Sequence, residues 1–172
     1  MRDRVGAAVV ASVLITQCLG AAAPRGPSTP EERTKALQII HHLETDPLAD
    51  TKDERQWLTL WLVEVPDIHV PLCTEFFPSL LRDSDSKKRH GGDLVMQSGY
   101  AIAAFQIEHP TEAKDESALY LAGVEGALRT YEAILLKEPK SRWVELDALI
   151  AKREKGELAI FVRETVPKCK KK

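Results

Sequence analysis

The sequence predicts an all-α fold: a single compact bundle, or a short array of helical hairpins, of about six helices. Three observations carry the prediction. Apolar residues recur at three- and four-residue spacing in successive windows, as one face of a helix requires. Capping residues and prolines punctuate those windows at helix-like intervals. Leu158, Ile160 and Val162 would also suit a strand, but no second strand is evident to pair with it.

Beyond the first 23 residues, the densest apolar run of the chain is Arg55–Cys73, which holds two of the three tryptophans. Trp57 and Trp61 are four apart and share a helix face, while Leu58, Leu60, Leu62, Val63 and Val65 cover nearly every other direction. A helix that is apolar nearly all round is a buried one. This segment, 53–65, is therefore expected to be the hub of the core, with Trp57, Leu58, Trp61 and Leu62 inside it. Pro66 and Asp67 end the run well short of the ~20 apolar residues a membrane span needs.

Around the hub, Ser28 and Glu31 form an S-x-x-E capping box for a helix carrying Ala36, Leu37, Ile40 and Leu43, which stops before Asp46-Pro47. Asp50 or Thr51 caps the Trp-rich helix. Thr74–Leu81 reads as a short helical turn whose Phe76, Phe77, Leu80 and Leu81 plug the core. The polar stretch Asp83–Asp93 reads as an exposed mobile loop and, were there a variable functional loop, as its location. Asp93 caps a helix from Leu94 to about Glu108 that contributes Phe105 to the core. A longer helix, Glu116 to Lys137, buries a stripe that includes Tyr131. Its small residues Ala122, Gly123, Gly126 and Ala127 form a face for close helix packing. Ser141 caps a further helix that buries Trp143, and Gly156 stops it. Residues 157–166 read as the last helix.

The segment GALRTYEAILLKEP resembles the second helix of a tetratricopeptide repeat, through Ala127, Tyr131 and Pro139. The repeat's first-helix pattern is missing before Ala118, so the resemblance covers half of one repeat.

The N-terminus has the three parts of a secretory signal peptide: Arg2 and Arg4, an apolar centre from about Val5 to Leu19, and the small residues Gly20–Ala23. Domain boundaries follow as a signal at 1–23, a Pro/Gly-rich linker at 24–29, the helical domain at 30–166 and a basic tail at 167–172 ending in Lys170–Lys172. Gln17 before Cys18 argues against a lipoprotein anchor. With Cys18 removed, Cys73 and Cys169 remain, 96 residues apart, and an even pair in an oxidising compartment reads as a disulfide. The location implied is exported, periplasmic or extracellular.

Chemistry is harder to find. A net charge of −2 and a pI near 6.2 give no footprint for nucleic acid. His41 and His42 point about 100° apart on a helix and cannot face one metal ion. No H-E-x-x-H, G-x-S-x-G or glycine-rich phosphate loop is present. Ser84-x-x-Lys87 spells S-x-x-K in the polar loop without its companion motifs. No catalytic residue, cofactor or metal is assigned. The function expected is a non-catalytic domain that binds another protein or acts as a scaffold. The alternatives are a small-ligand-binding or enzymatic bundle using Tyr100, Tyr120, His41 or Glu125, and an inhibitor or immunity-type protein of the cell envelope.

Overall fold

The computed structural model describes residues 25–169; the expected signal peptide, Cys18 and Lys170–Lys172 lie outside them. Seven α-helices occur among the described residues, and no strand: α1 (Pro30–Thr45), α2 (Lys52–Glu64), α3 (Pro78–Arg82), α4 (Gly91–Glu108), α5 (Glu116–Lys137), α6 (Val144–Glu154) and α7 (Leu158–Cys169). Two 3₁₀ turns, Thr74–Phe76 and Ser86–Arg89, flank α3. The ambiguous last segment is helical, as expected, and continues past the predicted boundary at residue 166. Pro167 forgoes one backbone bond there, and the turn after it is held by the Cys73–Cys169 disulfide.

The capping box of α1 lies one residue later than the sequence suggested. Thr29 accepts from the Glu32 N–H, Glu32 accepts from the Thr29 N–H, and Pro30 occupies the first turn. Ser28 is free for a different task. Its N–H and hydroxyl both donate to the Asp67 carboxylate (2.8 and 2.7 Å), and Arg33 donates to the same group (2.9 Å). The expected linker is thus anchored at this point, and Ser28 is buried. Burial would raise the Asp67 pKa, but the Ser28 and Arg33 bonds outweigh it and hold the carboxyl below its ordinary value. A carboxyl with a lower pKa folded than unfolded stabilises the fold above its unfolded pKa. That contribution is lost as pH falls through the folded pKa. Resistance to urea should therefore decline below about pH 4. Asp67→Asn should be less stable at neutral pH and show a shallower acid decline; an unchanged slope in that variant would count against this role.

Trp143, rather than Ser141, precedes the first residue of α6. The buried Tyr131 hydroxyl on α5 sets that start, accepting from the Trp143 N–H (2.8 Å) and donating to Asp147 Oδ1 (2.9 Å). Tyr131→Phe leaves the buried Trp143 N–H without its acceptor and should cost about 1–3 kcal/mol in urea unfolding. A cost below about 0.5 kcal/mol would mean the bond is not made in solution. At its other end, α6 stops as predicted. Gly156 has φ +73°, its N–H bonds the Arg153 carbonyl, and the Glu157 N–H bonds the Lys152 carbonyl.

Asp93 does not start α4, which begins at Gly91 behind His90. The stretch Asp83–Asp93 is pinned rather than a free loop. The Arg89 guanidinium lies 3.8 Å over the Trp143 ring and donates to Asp83 (2.7 Å) and to the Arg142 carbonyl (2.9 Å). The Trp143 indole N–H donates back to the Arg89 carbonyl (2.9 Å). The partner is 54 residues away in sequence, which is why local polarity suggested mobility.

The largest correction concerns the hub. In α2 only Leu58 and Trp61 are buried. Trp57 stacks on Trp61 (centroids 5.8 Å apart) under Lys35, but it and Leu62 are half-buried. Leu60 is 54% exposed and Val63 80%. The Trp-rich helix is an outer layer. The helix enclosed on both sides is α4. Its Leu94 and Ile102 join one core with Leu80, Leu128, Tyr131, Trp143, Leu146 and Val162. Its Tyr100, Ala103 and Ala104 join a second with Ile40, Leu43, Leu58 and Trp61. The most extensive helix–helix packing in the molecule is between α4 and α5. Gly123 and Gly126 meet α4 there, confirming the small-residue face.

A candidate binding groove between α1, α4 and α5

Where α1 leans on the α4–α5 pair, the same small residues that bring backbones together leave a trough. Ala101 and Ala104 of α4 and Ala118 and Ala122 of α5 form its floor, and Phe105 and Leu121 are its apolar walls. The cavity holds about 380 Å³ and is open to solvent along one side. Glu108 and Glu112 stand at one end, Glu125 beside it, and Glu44 with Arg129 at the other end. The Glu44 carboxylate is buried, its side chain 8% exposed, and receives the Arg129 guanidinium through two bonds of 3.0 and 2.9 Å. Those bonds hold the Arg129 pKa above its ordinary value, against the opposing effect of burial. His41 Nε2 lies 3.4 Å from Glu108, and His109 Nδ1 lies 3.9 Å from Glu112.

Of the polar groups expected to serve a small ligand, the fold brings two to this groove, His41 and Glu125. Tyr100 is buried and its hydroxyl meets that of Thr59 at 2.8 Å. Tyr120 packs against Phe76, with ring centroids 5.2 Å apart. Phe105, expected in the core, is half-buried on the groove wall and stacked near His109. Leu58, Trp61, Tyr131 and Trp143 are core residues as expected, and Cys73 and Cys169 are bonded. The groove itself was missed from sequence. Its only local sign is the run of alanines on α4 and α5, which reads equally as packing.

Two other places invite chemistry. Ser141 Oγ and His90 Nε2 both bind Glu138 Oε2, at 3.1 and 2.8 Å. A serine nucleophile needs the imidazole between itself and the acid; here the carboxylate stands between the other two. The neighbouring cavity is larger, about 570 Å³, and has several cations on its walls. Three of the four are engaged, Lys88 with Asp85, Arg89 with Asp83 and Lys137 with Asp46, and the fourth, Lys140, is exposed. Among the described residues, no three His, Cys, Asp or Glu side chains are grouped to hold a metal ion.

No known protein family, curated protein or solved structure matches this chain. Among the described residues no helix is long and apolar enough to cross a membrane.

Proposed function

We propose that the protein is exported and works as a non-catalytic binding domain, receiving a segment of another protein in the groove between α1, α4 and α5. One observation carries this reading: an open, largely apolar trough of about 380 Å³ with carboxylates around it. Protein interfaces commonly centre on such an apolar pocket with a polar rim. The signal-like N-terminus and the disulfide support export.

The test is site-specific photo-crosslinking in cells that make the protein. A benzophenone side chain placed at Leu121, on the groove wall, should give an adduct of one discrete mass. The same group at Val144, exposed on α6 outside the groove, should give none. Equal labelling at the two positions would defeat the proposal. Mass spectrometry of the same sample should find the chain starting near residues 20–24, and an intact N-terminus would remove the export half of the reading. A second reading, a small cationic amphiphile as ligand, is favoured by the presence of both His41 and Glu125 on the trough's lining.

A further inference from the structure

We infer that the occupant of the groove is a single amphipathic α-helix, apolar on the face it presents to α5 and rich in Lys and Arg along its flanks. The inference rests on the binding reading above and names the partner's chemistry.

Shape is the first argument. The trough does not end at the Glu44–Arg129 pair. Beyond it lies a second cavity of about 400 Å³, which shares Glu44 and Arg129 and continues along α5 past Ala133 to Leu136. The α5 residues lining the two lobes, from Ala118 to Leu136, recur at three- and four-residue spacing. They form one stripe on one helix, roughly 27 Å long at ~1.5 Å per residue. A straight trough of that length suits a partner helix of about five turns. A helix satisfies its own backbone N–H and C=O groups, whereas an extended segment would need backbone partners, and α5 offers side chains instead. Leu136, 86% exposed at the far end, is an apolar knob for such a helix to cover.

Charge is the second. Glu44, Glu108, Glu112, Glu125 and Glu132 line the two lobes. Arg129 answers Glu44, and Arg153 lies 3.7 Å from Glu125 and 2.5 Å from Glu132. Glu108 and Glu112 are met by histidine rings rather than by Lys or Arg. The rim is left with an excess of negative charge, which selects a cationic partner and repels an acidic one.

The experiment uses the full disulfide-bonded chain and a fluorescein-labelled amphipathic peptide of about 18 residues built from Leu and Lys, with its Leu/Glu counterpart as control. Anisotropy should show saturable binding of the Leu/Lys peptide that weakens with salt, and binding of the Leu/Glu peptide at least about tenfold weaker. The pair Glu108→Lys with Glu112→Lys should weaken binding by roughly tenfold or more. Glu157→Lys with Glu164→Lys, the same charge change at exposed positions just before and within α7, should alter it by less than about twofold. Ala122→Trp, which fills the floor, should abolish binding while circular dichroism and the melting curve confirm that the chain is folded. Equal losses from the two charge-reversed pairs would reduce the effect to net charge and overturn the inference. So would a groove occupied by a second copy of this chain, seen as a dimer by sedimentation. Saturable binding of dodecyltrimethylammonium by calorimetry, with no peptide binding, would give the groove to a small amphiphile instead. A Leu121 crosslink without peptide binding would keep the protein-binding reading and discard the helix; loss of both would discard the two together.

Discussion

Reduction of the Cys73–Cys169 bond is expected to lower the free energy of unfolding by about 3–5 kcal/mol, the largest single effect anticipated for this chain. The bond closes a loop of 96 residues, so cutting it restores much of the unfolded chain's freedom. It also has a specific native duty. It fastens the last turn of α7 to the connection between α2 and the Thr74–Phe76 turn, beside the contact of Phe161 with Phe76 (centroids 6.4 Å apart). Pro167 weakens the backbone bonding of that turn, so without the bond α7 should fray from its C-terminal end. Urea titrations with and without reductant should differ in midpoint by roughly 1–3 M at typical slopes. The double variant Cys73→Ser with Cys169→Ser should match the reduced protein. A midpoint indifferent to reductant would show that the bond does not clamp the fold.

Gly126→Ala is expected to destabilise by about 2–3 kcal/mol, lowering the melting temperature by roughly 5–10 °C. In most helix interiors the same change stabilises by up to about 1 kcal/mol, so the sign itself is diagnostic. A Cβ at Gly126 would fall well inside contact distance of Ala101 Cβ and lie 2.9 Å from Glu44 Oε1. The first atom is fixed to the α4 backbone and cannot yield unless the two helices separate. The second would disturb the buried Glu44–Arg129 pair at the boundary between the groove's lobes. Gly92→Ala is the control. Nothing lies within 4 Å of a Cβ there, and that variant should be neutral or slightly more stable. A Gly126→Ala protein as stable as the parent would mean α4 and α5 are not in such close contact.

The groove illustrates where sequence reading runs short. His41 and Glu125 were recognisable as polar groups on helices, and Phe105 as an apolar one. That they face one another across three helices depends on how α1 crosses the α4–α5 pair, which no local spacing encodes. Arg89 shows the same limit from the other side. In its own neighbourhood it is one cation in a polar run, and only Trp143, far along the chain, turns that run into a fastened corner.

From its residues alone this chain determines its helical class, the approximate helix boundaries, the glycine stop after α6, the close-packing face of α5 and the pairing of its two later cysteines. Each of these follows from interactions within a few turns or from counting. Tertiary structure decided which helix is central. Large side chains made α2 look like the hub, yet Leu60 and Val63 face solvent while the alanine- and glycine-rich α4 is enclosed. The reason is physical. Apolar transfer energy ranks residues by size, but the centre of a bundle also needs backbones that approach closely on two sides, and small side chains permit that approach.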